Sequence, residues 1–257
     1  MKIQLQELKK SFGEKVAVSI PHLQIDNGEI IGLVGNNGAG KTTLFKLILD
    51  LLQADSGHVV LVPQMDKCVI SSTVPFRNSD GVGIDPSKSE EWKKMTGAFI
   101  DETFLIDFLT VEEYLDFIIK VQGLPAIDWD NNHDQLIRGF EEFAEGQIFH
   151  QRKLIRDFSA GNKQKVGIMA AMISRPEFLI LDEPFNFLDP TGQNFLKKLL
   201  LDYHQQTDAT ILISSHNLQH LIDVSSRIVL LEDGKVIEDL SNDNQRALDA
   251  LNDYFKV

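Results

Sequence analysis

Apolar and polar positions along this chain follow three rhythms. IQLQEL, residues 3–8, alternates strictly, and VAVSIPHLQI, 16–25, is rich in β-branched and apolar residues, so the chain is expected to begin with an antiparallel β region. EIIGLVG (29–35), FLILD (178–182) and ATILISS (209–215) carry unbroken apolar runs, the mark of strands covered on both faces. HVVLV (58–62) and GAFID (97–101) read as two further strands. The helical rhythm appears in TTLFKLILDLLQ (42–53), in VEEYLDFIIKVQ (111–122), in TGQNFLKKLLLDYHQ (191–205) and in LQHLIDVSS (218–226). RIVLLEDGKVIEDL (227–240) reads as a hairpin turning at Asp-Gly.

Strands alternating with helices at both ends of the chain predict an α/β fold with a mostly parallel sheet and an N-terminal antiparallel region. A helical stretch over 103–172 interrupts the alternation and reads as a subdomain inserted into a core made of 1–102 and 173–257, all one domain. Between 63 and 85 the periodicity fails, which suggests an irregular hairpin or a surface insertion. SEEWKKM (89–95) and QRKLIR (151–156) read as solvated faces, and LKKLLLDY (196–203) as core.

Composition narrows the classes. With 257 residues, 43% hydrophobic and 25% charged, the chain can bury a large core. The net charge of −13 argues against direct nucleic-acid binding. One cysteine, Cys68, excludes an internal disulfide, and no Cys/His cluster suggests zinc. The start lacks the apolar core of a signal peptide, and no window holds the 18 or so apolar residues of a membrane span, so a soluble, cytoplasmic chain is expected.

The chemistry is concentrated at strand ends. GNNGAGKT, 35–42, matches G-x-x-x-x-G-K-[ST] between a predicted strand and a predicted helix, the context that this motif requires. Gly35, Asn36, Asn37, Gly38, Ala39 and Gly40 would wrap backbone amides around phosphate oxygens. Lys41 would reach the β- and γ-phosphates, the Thr42 hydroxyl would ligate Mg²⁺, and Thr43 would bond the α-phosphate. No NKxD motif follows, so a GTPase is not indicated. FLILDEP ends an apolar strand in two acids: Asp182 is suited to holding Mg²⁺ through water, and Glu183 to orienting or deprotonating a water. His216, after the next apolar strand, is placed to donate to a γ-phosphate.

The order of these motifs resembles the ATP-binding subunits of ABC transporters over almost the entire chain. GNNGAGKT is similar to the Walker A loop, FLILDEP to the Walker B strand, His216 to the switch histidine, and NFLDP (186–190) to the D-loop with Asp189 as its acid. FSAGNKQK is similar to the signature LSGGQ: Ser159 and Gly161 are kept, while Ala160 and Asn162 stand for a glycine and a glutamine. The resemblance implies that Ser159, Ala160, Gly161 and Asn162 close the ATP site of a second subunit in a head-to-tail homodimer or heterodimer. It implies ATP and Mg²⁺ as ligands and Phe12 as an adenine-stacking ring. It also implies a membrane-spanning partner whose coupling helix docks near Asp101 and Glu102, which would place the chain at the inner face of the cell membrane. One of those two acids takes the place of the family's glutamine, where it would ligate Mg²⁺ or its waters without an amide's donor. Rivals of other kinds are a soluble ABC-type ATPase in a non-transport role, a monomeric P-loop kinase, and a regulatory module that binds ATP without turning it over, which the presence of Glu183 and His216 opposes. Tandem ATPase domains, a long coiled coil or a basic surface would mark the first, an acceptor site of its own the second, and none is evident.

Overall fold

The computed structural model describes residues 1–63, 76–78, 81–129 and 134–241. The first strands are longer than the alternation alone implied. β1 (Lys2–Phe12) and β2 (Lys15–Ile25) form a hairpin, and β4 (Ser56–Val62) pairs antiparallel with the other edge of β1. Ile3, Leu5, Val18, Ile20, Val59 and Leu61 point inward from this three-stranded sheet and are fully or nearly fully buried. The described part of the irregular stretch is a short antiparallel pair, β5 (Phe76–Asn78) with β6 (Gly81–Gly83), after which Ile84 bridges to Leu61. Residues 64–75, 79 and 80 of that stretch lie outside the described residues.

The second sheet contains β3 (Ile30–Val34), β7 (Thr96–Phe99), β8 (Phe178–Leu181), β9 (Thr210–Ser215), β10 (Arg227–Glu232) and β11 (Lys235–Ser241). Its order is β11-β10-β3-β9-β8-β7, and every pair is parallel except β10 with the edge strand β11. The turn between β10 and β11 uses Asp233 at φ 45° and Gly234 at φ 75°, the left-handed pair that a tight hairpin needs. Strands β3, β8, β9 and β10 are buried on both faces, which accounts for their continuous apolar sequences. Leu179, Leu181, Ile211 and Ile213 face one core with the helices between β7 and β8, whereas Phe178, Ile180 and Leu212 face another with the antiparallel sheet.

Six helices are described: α1 (Lys41–Ile48), α2 (Val111–Val121), α3 (Gln135–Ala144), α4 (Ala160–Met172), α5 (Pro190–Thr207) and α6 (Leu218–Ile222). The helix read over 42–53 stops at Ile48 because Asp50 turns left-handed at φ 51° and Leu51 bonds back to Lys46. α2 starts with a reciprocal capping box, Thr110 with Glu113, and α3 starts with Asp134 accepting from Leu136 and Ile137. Leu196, Leu199, Leu200 and Tyr203 of α5 are buried, as the periodicity required. Residues 91–95 form a 3₁₀ turn whose Trp92 is buried and donates to the Pro86 carbonyl, while its charged neighbours face solvent.

α4 lies against the sheet at unusually short range. A Cβ on Gly167 would fall 2.1 Å from the Phe99 ring, and one on Gly97 would fall 1.9 Å from the Ala171 carbonyl. Gly167 lets the helix backbone meet the Phe99 ring, Gly97 lets β7 and α4 touch backbone to backbone, and together they fix α4 relative to the strand ends that carry the acids.

Candidate functional site

The glycine-rich loop between β3 and α1 has the wrapped form its composition demands. Gly38 sits at φ 85° and Gly40 at φ 105°, conformations that a side chain would strain. Gly35 has no room for a Cβ, which would lie 2.3 Å from the Leu231 carbonyl. Ala39 donates to Asn36, and Gly234 donates to Ala39, so the loop is tied to the β10–β11 turn. Gly40 begins α1 with no side-chain cap, leaving the first amides of the helix for a ligand. Asn37, Gly38, Ala39, Gly40, Lys41, Thr42 and Thr43 line an open cavity of about 320 Å³ with Phe12, Lys15, Ala17 and Glu183. The predicted Asn36 is exposed on the same loop.

Two polar chains meet at this loop. In one, Thr42 Oγ1 donates to Asp182 Oδ2 at 2.5 Å, and Ser214 Oγ donates to Asp182 Oδ1 at 2.5 Å while accepting from the Glu183 amide at 2.8 Å. Burial pushes the Asp182 carboxyl above its usual range, and the charge of Glu183 adds to the shift. The Ser214 and Thr42 hydroxyls and the Lys41 ammonium oppose it. In the other chain, Lys41 Nζ donates to the Gly35 carbonyl at 2.6 Å and lies 3.2 Å from Glu183 Oε1. The His216 amide donates to Glu183 Oε2 at 3.2 Å, and ring Nδ1 lies 2.9 Å from the same oxygen. Glu183 itself is held at φ 46°. β3, β8 and β9 are neighbours in the sheet, and their C-terminal ends bring Lys41, Asp182, Glu183, Ser214 and His216 together. That convergence at the carboxyl edge is where parallel α/β sheets assemble ligand sites.

The other expected site residues lie elsewhere. Ser159 is the exposed N-cap of α4 and accepts from the Asn162 amide at 3.3 Å; it is outside the cavity over the phosphate loop. Ala160 is the first helical residue and is not at positive φ, so alanine fits there in place of glycine. Gly161 is needed for space: a Cβ would approach the Phe187 carbonyl to 2.6 Å. Asp189 caps α5, accepting from Gly192 at 2.8 Å. Asp101 caps the short turn after β7 and accepts from Thr103, whereas Glu102 is exposed with Lys163 3.9 Å away. Neither acid lines the cavity over the phosphate loop. Phe12 ends β1 at that cavity, 54% exposed.

Sequence reasoning missed Gln164, whose side-chain amide donates to the Glu183 carbonyl at 3.1 Å. Its signal was a polar side chain next to the apolar run VGIMAAM on one helix.

Comparison with known proteins gives the family. Residues 18–186 match the family model described as ABC transporter. The chain is 30% identical to the ABC transporter ATP-binding protein YcbN of Bacillus subtilis, over 95% of this chain and 71% of the relative. It is 31% identical to the bacitracin transport ATP-binding protein BcrA of Enterococcus faecalis, over 93% and 69% of the two chains. It is 30% identical to the lipopolysaccharide export system ATP-binding protein LptB of Haemophilus influenzae, over 98% of each. Among solved structures, the ATP-binding subunit of an ABC transporter superposes with a TM-score of 0.74 at 25% identity, covering 98% of this chain and 94% of that one. The dimeric cassette MJ0796 shares the fold, with a TM-score of 0.74 at 20% identity over 93% and 98%. A Walker-type loop, two strand-end acids and a strand-end histidine thus coincide with relatives that match nearly the whole of this chain, which belongs to the ABC transporter family as an ATP-binding, ATP-hydrolysing subunit that powers transport through a separate membrane-spanning partner.

Proposed function

We propose that this chain hydrolyses ATP in a composite site, one half supplied by its own phosphate loop and strand ends and the other by the Ser159 loop of a second subunit. The carrying observation is a separation. Lys41 and Glu183 line one cavity, with Asp182 and His216 bonded to its lining residues Thr42 and Glu183, while Ser159 caps an exposed helix start outside it. Two copies arranged head to tail, or this chain with a related one, unite the halves.

The loop amides and Lys41 bind and orient the phosphates, and Phe12 offers its face to the adenine. Thr42 and Asp182 fit Mg²⁺. Their oxygens are hard donors beside the loop, and Asp182 is a buried carboxylate whose charge a cation would compensate. When bound, the ion neutralises charge on the phosphates. Glu183 takes the proton of the attacking water, and its backbone is fixed by Ser214 for that task. His216 holds the Glu183 carboxylate and, with its ring half-exposed, reaches the terminal phosphate. Ser159 and the amides of α4 approach that phosphate from the facing subunit. Asp189 positions the neighbouring loop by capping α5, and Asp101 or Glu102 stands where the membrane-spanning partner would be sensed. Phe104 and Phe108, both exposed, flank those acids and give a coupling helix an apolar seat. No helix among the described residues is long and apolar enough to cross a membrane, so the chain would sit at the cytoplasmic face through that partner.

The test is the solution mass of Glu183→Gln with Mg-ATP and with Mg-ADP. A dimer with ATP alone, abolished by Ser159→Arg, is expected. A monomer with ATP bound, or a dimer indifferent to Ser159→Arg, overturns the composite site.

A further inference from the structure

α4 begins at the exposed Ser159 and, one turn further on, touches the main chain of Glu183, the chain's own active glutamate. Gln164 is 7% exposed, on the buried side of the helix. Its Nε2 donates to the Glu183 carbonyl at 3.1 Å. A carbonyl oxygen accepts only from the N–H₂ end of an amide, and this fixes the orientation of the side chain. The Glu183 peptide is therefore gripped on both sides, with Ser214 accepting from its N–H and Gln164 donating to its C=O. A glutamate at φ 46° is held against its own preference, and such a conformation persists only where its surroundings fix it. The Asn186 amide also reaches the same carbonyl, at 3.1 Å, but belongs to the same turn and cannot tie it to another element. Gln164 is the link to α4.

The rest of α4 is built to transmit displacement. Gly161 lets the first turn close on the Phe187 carbonyl, Gly167 accepts the Phe99 ring, and Lys165 is ion-paired with Glu145 at the end of α3. Phe99 in turn accepts from the Asp182 amide through its carbonyl. A push on the Ser159 end has few soft contacts in which to dissipate before it reaches Gln164.

We propose that Gln164 is a positioning residue for hydrolysis, setting the backbone of Glu183 from the helix whose start closes the facing subunit's site. The two composite sites are then linked inside each chain through this hydrogen bond, and occupancy of one is felt at the carboxylate of the other. This rests on Glu183 being the carboxylate that activates water.

The test is a double-mutant cycle on the full chain, with single-turnover rates wherever steady-state rates are too slow. Gln164→Met keeps the length and the burial but removes the donor. It should lower kcat about five- to tenfold, the range of one lost hydrogen bond, with KM and ATP affinity unchanged. In a Glu183→Gln background the same change should cost less than twofold. An unchanged kcat, a KM effect, or an equal loss in both backgrounds overturns the proposal, the last outcome meaning that Gln164 only packs. Gln164→Glu, polar and equally long but without the donor, must reproduce the split, and thermal unfolding of both variants separates it from loss of fold. If Glu183→Gln alone hydrolyses at the native rate, the reading of Glu183 falls first, and that result is distinct from every other.

Discussion

Two helices of this chain carry a glycine at or within their first turn, α1 after Gly40 and α4 after Ser159, and they differ in what their first amides face. Gly40 is left-handed and gives no side-chain cap, so the start of α1 opens onto a cavity that the chain lines itself. Ser159 is extended, caps the Asn162 amide with its own hydroxyl, and is exposed. The first start is unfinished without a ligand, whereas the second is finished as a fold element and has no cavity of its own over the phosphate loop. Loops with similar residues thus do unlike things: one makes a binding site within the subunit, the other presents a surface to a second subunit.

The largest effect that would sharpen this contrast comes from the lysines that follow the two starts. Lys41 is 6% exposed and lies between the loop carbonyls and Glu183, while Lys163 is partly exposed and lies 3.9 Å from Glu102. Lys41→Ala should lower kcat on the order of 10²- to 10³-fold, as removing a preorganised charge-stabilising group does. Lys163→Ala should change it less than about threefold, since a surface pair contributes at most about 1 kcal/mol. Steady-state ATPase rates decide, and similar losses for both would erase the distinction.

A middle-sized effect separates the glycines. Alanine at Gly40 meets both a φ of 105° and the Ala17 carbonyl 2.4 Å away, whereas at Gly161 it meets only the Phe187 carbonyl at 2.6 Å with an ordinary φ. Gly40→Ala should cost about 2–4 kcal/mol and lower Tm by about 5–10 °C, with ATP binding lost. Gly161→Ala should cost about 1–2 kcal/mol, lowering Tm by a few degrees, with ATP binding by the monomer intact. Calorimetry with and without ATP reads both quantities. ATP binding lost in Gly161→Ala would place that glycine in the chain's own site.

The same contrast explains what was legible in the sequence. Gly35 to Thr42 could be read because glycine, lysine and threonine in that spacing have one common use between a strand and a helix. Strands β3, β8 and β9 could be read because burial on both faces fills their centres with consecutive apolar residues. Ser159 was legible only by resemblance, since a serine followed by a helix is also an ordinary cap. The polar Gln164 stood out beside an apolar run, but its role was not legible: its partner is a backbone carbonyl 19 residues away in sequence, and no side-chain pattern records a contact with a main-chain atom. The early stop of α1 at Ile48 was hidden for a similar reason, because Asp50 turns left-handed through backbone bonds although Leu51 and Leu52 continue the apolar rhythm. The end of the chain's apolar pattern and the end of its hydrogen-bond ladder are separate facts.

The smallest effect tests where the binding half ends. β1 changes register at Lys10 and Ser11 before it reaches Phe12, and Asp55 holds the bend by accepting from the Ser11 amide at 2.6 Å and pairing with Lys10 at 2.8 Å. The Lys10 and Ser11 hydrogen bonds hold the Asp55 carboxyl below its usual range, so it stays ionised to lower pH than a free carboxylate. The bend leaves the Phe12 ring at the mouth of the phosphate-loop cavity, 54% exposed, with Lys10 Nζ 5.8 Å from its centroid. If the ring stacks on adenine, Phe12→Ala should weaken ATP affinity about five- to tenfold, as base–aromatic stacking of roughly 1–1.5 kcal/mol requires. Phe12→Trp should retain it, and kcat at saturating ATP should not move. Inorganic triphosphate supplies the discriminating control, because it engages the loop amides and Lys41 but offers no base. Its affinity should be the same in Phe12→Ala as in the native chain. An equal loss for both ligands would mean that Phe12 shapes the loop instead of stacking, and the chain's own half of the site would then end at Lys15.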